Sequence, residues 1–305
     1  MRIVICIPTC RRPNMLEGCL SAIAALRYPP DAETRILVVD NGDDGAGREV
    51  VDKLAPSYPV ELRWLEEPRR GICMARNRAL EGALEQGADY IAFLDDDEEP
   101  HAQWLEALWL ARVRYGAAIV TGPVIPVNVG DPVPPVPVSG GKRKTGESPR
   151  FVSCNNVLFD ARLVTDQNLR FDPFFNFIGG EDFDFFERAR AGERDSTAVW
   201  CAEAIVFERT PAERRTVRYL LFRHYTGGIN AVLRVRRSHG LAYAWMRLFP
   251  KSVGKLCGGF VLLPLGLLGC RRCRGESAKR LAVALGYLSA LCGIVVQRYR
   301  TTDGN

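Results

Sequence analysis

Histidine is scarce in this chain: 305 residues hold three, His101, His224 and His239. None stands at a triad spacing from a serine, so covalent catalysis through a histidine-activated hydroxyl finds no support. His224 lies among arginines and reads as a helix-surface histidine or a phosphate contact. A zinc set is missing too, since Cys270 and Cys273 have CxxC spacing without a second pair or a nearby histidine. The ten cysteines are otherwise dispersed, several inside apolar stretches where a thiol behaves as a small hydrophobe, and this argues for a reducing compartment. Met1 to Pro8 lacks a charged segment followed by an adequate apolar one, so no secretory signal is expected and the first domain should stay in the cytosol. Net charge is only +5, which does not call for nucleic acid. Acids concentrate before Asp195, whereas Arg and Lys crowd the region from Arg209 to Arg300 among apolar runs, a pattern suited to a membrane surface.

What the chain does have is a block of negative charge. Tyr90 to Leu94 is apolar and ends in Asp95-Asp96-Asp97-Glu98-Glu99. Adjacent like charges repel by about 1 kcal/mol per close pair even in bulk water. A divalent cation held by carboxylate oxygens would relieve that repulsion. The competing reading is that these acids open a following helix, where they suit the N-terminal dipole; Glu98 and Glu99 are expected to do so.

Around this block, apolar strands alternate with helical periodicity. Strands are expected over Arg2 to Ile7, Thr34 to Val39, Val60 to Leu65 and Tyr90 to Leu94. Helices are expected over Asn14 to Arg27, around Arg48 to Leu54, and over Gly71 to Gln86, with Ala75, Ala79 and Ala83 on a packing face. Such βαβ units imply an α/β fold on a mainly parallel sheet, with ligands at the carboxyl ends of strands. Three polar sites fall there: Pro8-Thr9, Asp40 and Asp95 to Asp97. A helix over Trp104 to Arg114 and a strand over Ala117 to Val124 follow. The Pro- and Gly-rich stretch from Ile125 to Pro149, with Lys142, Arg143 and Lys144, reads as a lid over an acceptor site or as a linker. Phe151 to Phe159 returns to strand; of its adjacent amides Asn155 and Asn156, which should point to opposite faces, Asn155 is taken to face the cleft. Gly179 and Gly180 let the chain turn and bring Glu181 and Asp182 close to a ligand, before a helix over Phe185 to Ala191. A short strand or two is expected between Val199 and Val206.

Beyond Pro211, arginines interleave with Tyr219, Leu220, Phe222 and Tyr225 as basic amphipathic helices. Two apolar segments, Leu256 to Leu268 and Leu281 to Val296, are shorter than the roughly 20 residues of a spanning helix. Basic clusters flank both, including Arg271 to Arg274 between them and Arg298 and Arg300 after. A hairpin would put the middle cluster outside, against the positive-inside tendency. In-plane or re-entrant helices are therefore expected, with a two-span hairpin and a soluble helical subdomain as alternatives.

Five motifs in order resemble family 2 glycosyltransferases: Ile5 to Pro13, Val38 to Asn41, Gly71 to Asn77, Phe93 to Asp97, and Gly180 to Asp182. The opening is especially similar to bacterial exopolysaccharide transferases of the succinoglycan type. The resemblance covers about Arg2 to Val206. It implies a GT-A fold, Rossmann-like with a mixed, mainly parallel sheet, over residues 1–210, and membrane-associated helices over 211–305. It implies an inverting, metal-dependent transfer of one sugar from a nucleotide-diphosphate sugar, with UDP the first choice, to a lipid-linked saccharide at the cytoplasmic membrane face. By the same resemblance Pro8, Thr9 and Asp40 meet the nucleobase, Arg76 and Asn77 lie near the nucleotide, and Asp96 lies near the ribose. Asp95 and Asp97 match a DxD motif, Asp97 being the direct ligand of Mg²⁺ or Mn²⁺. Glu181 contacts substrate and Asp182 is the base. A QxxRW motif of processive members is missing, so a single addition is expected. Alternatives are transfer to a polyprenyl monophosphate and a non-catalytic membrane scaffold.

Overall fold

The computed structural model describes residues 1–134, 143–192 and 197–296. Lys142, Arg298 and Arg300 lie outside them, as does part of the Pro- and Gly-rich stretch. The chain folds as two compact units, one made of Met1–Asn176 and Glu181–Thr210, the other of Phe177–Gly180 and the chain from Pro211.

In the first unit the elements run β1 (Arg2–Thr9), α1 (Pro13–Ala24), β2 (Glu33–Asp40), α2 (Ala46–Leu54), β3 (Glu61–Glu66), α3 (Ile72–Glu85) and β4 (Tyr90–Phe93). Then come β5 (Glu98–Pro100), α4 (Trp104–Tyr115), β6 (Ile119–Thr121), β7 (Val124–Asn128), β8 (Val157–Asp160), α5 (Arg162–Thr165), α6 (Glu181–Gly192), β9 (Ala198–Trp200) and β10 (Val206–Thr210). The main sheet has the order β3-β2-β1-β4-β8-β6-β9. Its first four strands are parallel, β8 is antiparallel to both neighbours, and β9 runs parallel to β6. The chain winds outward from β1 to β3, then returns across β1 to β4. That reversal opens a crevice at the carboxyl ends of β1 and β4, where Thr9 and the acidic turn meet. Ile3 to Ile7 are fully buried, because helices cover both faces of a parallel sheet and leave no solvated side for a polar residue.

Ala75, Ala79 and Ala83 of α3 are buried against the sheet, as the spacing predicts. A second layer is aromatic. Phe93 of β4, Phe159 of β8, Phe171, and Phe185 and Phe186 of α6 pack with ring centroids 4.2–6.1 Å apart. This cluster seats α6 under the sheet and fixes where its first turn points.

Several boundaries differ from the sequence reading. Glu98 and Glu99 do not start a helix: they form β5, paired antiparallel with β10 in a second sheet of order β5-β10-β7. Local charge favoured a helix start, but a partner more than a hundred residues away supplies the backbone hydrogen bonds. The expected strand over Ala117 to Val124 is two strands in different sheets, β6 and β7. The expected strand over Phe151 to Phe159 begins only at Val157, leaving Asn155 and Asn156 in a turn. Asn156 is the buried one; its amide accepts from Trp104 Nε1 at 2.8 Å and donates to the carbonyls of Pro123 and Ala204 at 3.0 and 2.7 Å. The α6 helix starts at Glu181 rather than Phe185, so both motif acids sit in its first turn.

The second unit contains α7 (Val217–His239), α8 (Leu241–Leu267) and α9 (Arg271–Leu291). The α7 and α9 backbones cross closely at Gly228 and Gly286, where an added Cβ would meet opposing backbone at 2.5 and 2.1 Å. Read from the sequence, the first apolar segment is short. Here it is the second half of a 27-residue helix that absorbs Pro250 and Pro264, and by length and composition α8 is long enough and apolar enough to cross a membrane. The basic cluster Arg271 to Arg274 lies inside the first turn of α9 instead of in a linker.

Asn156→Ala would strand the Trp104 indole N–H and two buried carbonyls. Each unpaired buried group costs about 1–3 kcal/mol. The expected loss is about 3 kcal/mol, read as a lower urea midpoint with an unchanged slope.

Candidate active site

Each strand end in the crevice is tied to its neighbours by side chains. Thr9, at the end of β1, donates its hydroxyl to Asp96 Oδ2 at 2.8 Å. Arg12, next to the start of α1, donates to Asp96 Oδ1 at 3.2 Å and lies 3.4 Å from Asp97 Oδ2. Asp96 is therefore committed to the protein on both oxygens. Asp40, ending β2, accepts from Gly42 N–H at 2.9 Å through one oxygen and from Gly47 and Arg48 N–H at 3.0 and 3.3 Å through the other. It serves the otherwise unpaired donors at the start of α2. Pro8 is buried beside Thr9 in β1.

The entry to α3 is clasped twice. Asn41 Oδ1 accepts from Gly71 N–H, and Asn176 Oδ1 accepts from Cys73 N–H while its amide nitrogen donates to Arg70 O. Gly71 adopts a φ of +127°, and a Cβ there would lie 1.9 Å from the Asn176 amide, so only glycine fits. Asn77, expected near the nucleotide, ties α3 to the Phe171 backbone. Its amide donates to Phe171 O at 2.9 Å and accepts from Phe171 N–H at 2.8 Å. Asn155 accepts from the Ser153 hydroxyl and is half-buried.

Arg76 occupies the centre. Buried on α3, it donates to Glu181 Oε1 at 2.5 Å and to Asp95 Oδ1 at 3.2 Å. It therefore joins the acidic turn after β4 to the first turn of α6, which come from sequence positions 86 residues apart. Arg76 Nε and Glu181 Oε2 are buried without hydrogen-bond partners, as is Glu98 Oε1. The other Glu98 oxygen accepts from Asp95 N–H at 2.9 Å, holding the acidic turn in shape.

Burial and mutual repulsion act together on these acids. Desolvation first, then repulsion from Asp95 and Asp96, raises Asp97 to about 7, with Arg12 opposing. Glu98 is pushed well above the carboxylate range by burial and by Asp95. Burial, then Glu181, raises Asp182 to about 7, with Arg76 pulling it back. A carboxylate so placed can take up a proton near neutral pH. Beside the acidic turn opens a cleft of about 660 Å³, lined by residues including Arg11, Arg12, Met15, Asp97, Glu99 and Arg209. Arg209 grips Glu99 at 2.6 and 3.0 Å.

Among the described residues no group of three or more His, Cys, Asp and Glu side chains is arranged to hold a metal ion. The donor set nonetheless fits a hard cation. It is all carboxylate, its members repel one another, and Glu98 Oε1 is an orphaned buried oxygen. Mg²⁺ characteristically takes one or two carboxylates and completes its shell with water and substrate phosphates. Residue order gives Arg12 no role beyond its place in the Ile5 to Pro13 motif, and it reads Glu98 as a helix start.

A mainly parallel sheet with its acidic turn at the switch point, extended by a smaller mixed sheet, defines a transferase of the GT-A fold. The sequence model described as Glycosyl transferase family 2 matches residues 4–160, and this chain belongs to that family of glycosyltransferases. It is 30% identical over 302 residues to the succinoglycan biosynthesis protein ExoM of Rhizobium meliloti (strain 1021), covering 96% of this chain and 94% of ExoM. It is 27% identical over 194 residues to glycosyltransferase AglE of Haloferax volcanii, 61% of this chain and 60% of AglE. Among solved structures, S. aureus TarS 1-349 in complex with UDP-GlcNAc aligns over 100% of this chain and 98% of that one, with a TM-score of 0.58 and 13% identity. The mannosyltransferase PcManGT from Pyrobaculum calidifontis, with GDP-Man and Mn²⁺, aligns over 95% and 86%, with a TM-score of 0.61 and 15% identity.

Breaking the buried Arg76–Glu181 pair from one side leaves an uncompensated charge and costs about 3–5 kcal/mol. Arg76→Met and Glu181→Met should each destabilise by that order, and the double variant by less than their sum. A double-mutant cycle from denaturant unfolding reads the coupling, expected at about 1–3 kcal/mol.

Proposed function

We propose that this enzyme moves one sugar from a nucleotide-diphosphate sugar, a UDP-sugar in the first instance, to a lipid-linked saccharide, inverting the anomeric centre, in the synthesis of a bacterial exopolysaccharide or related surface glycan. The observation that carries this reading is the chain Asp95–Arg76–Glu181, which joins the acidic turn to the first turn of α6, where Asp182 follows Glu181. The donor lies over the carboxyl ends of β1 and β2, with Pro8, Thr9 and Asp40 beneath the base and Asp96 towards the ribose. Asp97, with Asp95, holds Mg²⁺ or Mn²⁺, which when bound offsets the charge developing on the leaving diphosphate. Asp182 accepts the proton of the acceptor hydroxyl as that oxygen attacks from the face opposite the diphosphate. Arg76 keeps Asp182 ionised enough to act and orients the turn that bears it. Single displacement needs no protein nucleophile, in keeping with the missing triad.

Support for the donor comes from the TarS complexes with UDP-GlcNAc and UDP, and for the pathway from the name of the ExoM relative. The membrane side rests on the second unit. Trp245, Met246, Phe249, Phe260 and Val261 of α8 are exposed, with Arg247, Lys251 and Lys255 on the same helix. An apolar surface edged by cations suits the interface of an anionic bilayer, and with it an acceptor that is apolar at one end and anionic at the other. The reading places the enzyme at the cytoplasmic face.

Asp182→Asn should lower turnover by at least about 100-fold, the lower range for a general base, while a thermal shift with UDP-sugar and Mn²⁺ persists. Undiminished transfer would remove Asp182 from the base role. For the native enzyme, kcat/KM should rise with pH through an inflection above the ordinary carboxylate range, because Asp182 acts only when deprotonated and burial with Glu181 raises it. Arg76→Met should move that inflection upward, since the guanidinium favours the charged carboxylate. Offering radiolabelled sugar nucleotide to a polyprenyl diphosphate saccharide and to a polyprenyl monophosphate in parallel should label the first alone.

A further inference from the structure

Cys270 and Cys273 take no part in the chemistry above. All ten cysteines are free, and Cys6, Cys19, Cys73, Cys154 and Cys201 are buried, with thiols held above their ordinary range by desolvation. Such thiols are inert. The CxxC pair sits in the opposite environment. After α8 the chain turns at Gly269, with φ +105°, and Cys270 becomes the N-cap of α9. Its sulfur accepts the backbone N–H of Cys273 at 3.3 Å, and the two sulfurs lie 2.7 Å apart. A disulfide bond is about 2.05 Å long, so closure needs only a small movement of side chains already facing each other. Cys270 is exposed and Cys273 half-buried, so a small reagent can reach the outer sulfur first.

The electrostatics sort the two thiols into roles. Hydrogen bonds from the Cys273 thiol and backbone N–H, helped by Arg272, hold Cys270 below its ordinary value; the same shared hydrogen bond holds Cys273 above. A helix N-terminus favours a thiolate at its cap for the same reason that it favours any anion.

We propose that Cys270 and Cys273 form a thiol–disulfide exchange site, with Cys270 the attacking sulfur and Cys273 the resolving one, taking small disulfides of the glutathione class. The Cys270 thiolate attacks one sulfur of R–S–S–R, forming a mixed disulfide and expelling RS⁻. Cys273 loses its proton to water and attacks the Cys270 sulfur, expelling the second RS⁻. Two protein thiols are oxidised, one external disulfide is reduced, and two RSH leave after protonation. A dithiol reductant reverses the sequence. The pair sits at the turn between α8 and α9, so its oxidation covalently fixes the start of α9. In a reducing compartment a dithiol of this kind is closed only transiently.

The test uses the intact chain. The reduced protein is equilibrated across a series of oxidised-to-reduced glutathione ratios, trapped by alkylation and read by peptide mass spectrometry. The peptide holding both cysteines should lose two alkylation sites with no added glutathione, at a ratio at least about tenfold lower than any other thiol in the chain requires. In Cys273→Ser a glutathione adduct should accumulate on Cys270; in Cys270→Ser, Cys273 should acquire one no faster than exposed Cys257 and Cys292. Equal far-ultraviolet dichroism of both variants and the native chain establishes that all are folded. Full alkylation of both thiols across the series, or equal adduct formation in the two variants, would overturn the assignment. The native titration stands without either variant.

Discussion

A single buried cation organises the catalytic unit. Arg76 carries its charge into a place where water cannot compensate it, and it is tolerated there because Asp95 and Glu181 approach from opposite sides. The pairing acts in both directions. Without the guanidinium, the acidic turn after β4 and the acidic first turn of α6 would repel across a poorly solvated gap. With it, two segments from distant parts of the sequence are held at a fixed spacing, and Asp182 takes its position from that spacing. A buried ion pair adds little net stability compared with apolar packing. Its value here is geometric, since it holds two distant acidic segments in a fixed register.

The surrounding structure serves that arrangement. The aromatic layer of Phe93, Phe159, Phe171, Phe185 and Phe186 sets the height and angle of α6. Asn77 and Asn176 tie the Phe171 to Asn176 segment to α3 and its entry. Glu98 and Arg12 shape the acidic turn from either end. Burial first, and then repulsion from neighbouring carboxylates, raises Asp97 and Asp182.

The second unit follows different physics. Glycines at Gly228 and Gly286 let α7 and α9 approach almost backbone to backbone, while α8 leaves large apolar side chains exposed between cationic ones. Tight small-residue packing inside and an apolar exterior is the division of surface expected of helices that meet lipid. The CxxC turn joins α8 to α9 within this unit.

Much of this was legible from residue order. Apolar runs alternating with helical periodicity determine the first four parallel strands and their helices, because a strand buried on both faces can be built only from β-branched and aliphatic residues. The topology then requires Thr9, Asp40 and Asp95 to Asp97 to gather at one edge, whatever their spacing in sequence. The tertiary structure alone decided the remainder. Glu98 and Glu99 could open a helix or join a strand, and the choice fell to β10, whose residues lie more than a hundred positions away. Asn155 and Asn156 are chemically identical, yet Asn156 is consumed by Trp104, Pro123 and Ala204. Residue order places Arg76 near the nucleotide but does not reveal that it links two carboxylates. In each case the side chain has several hydrogen-bond partners of similar strength open to it, and only long-range packing selects among them.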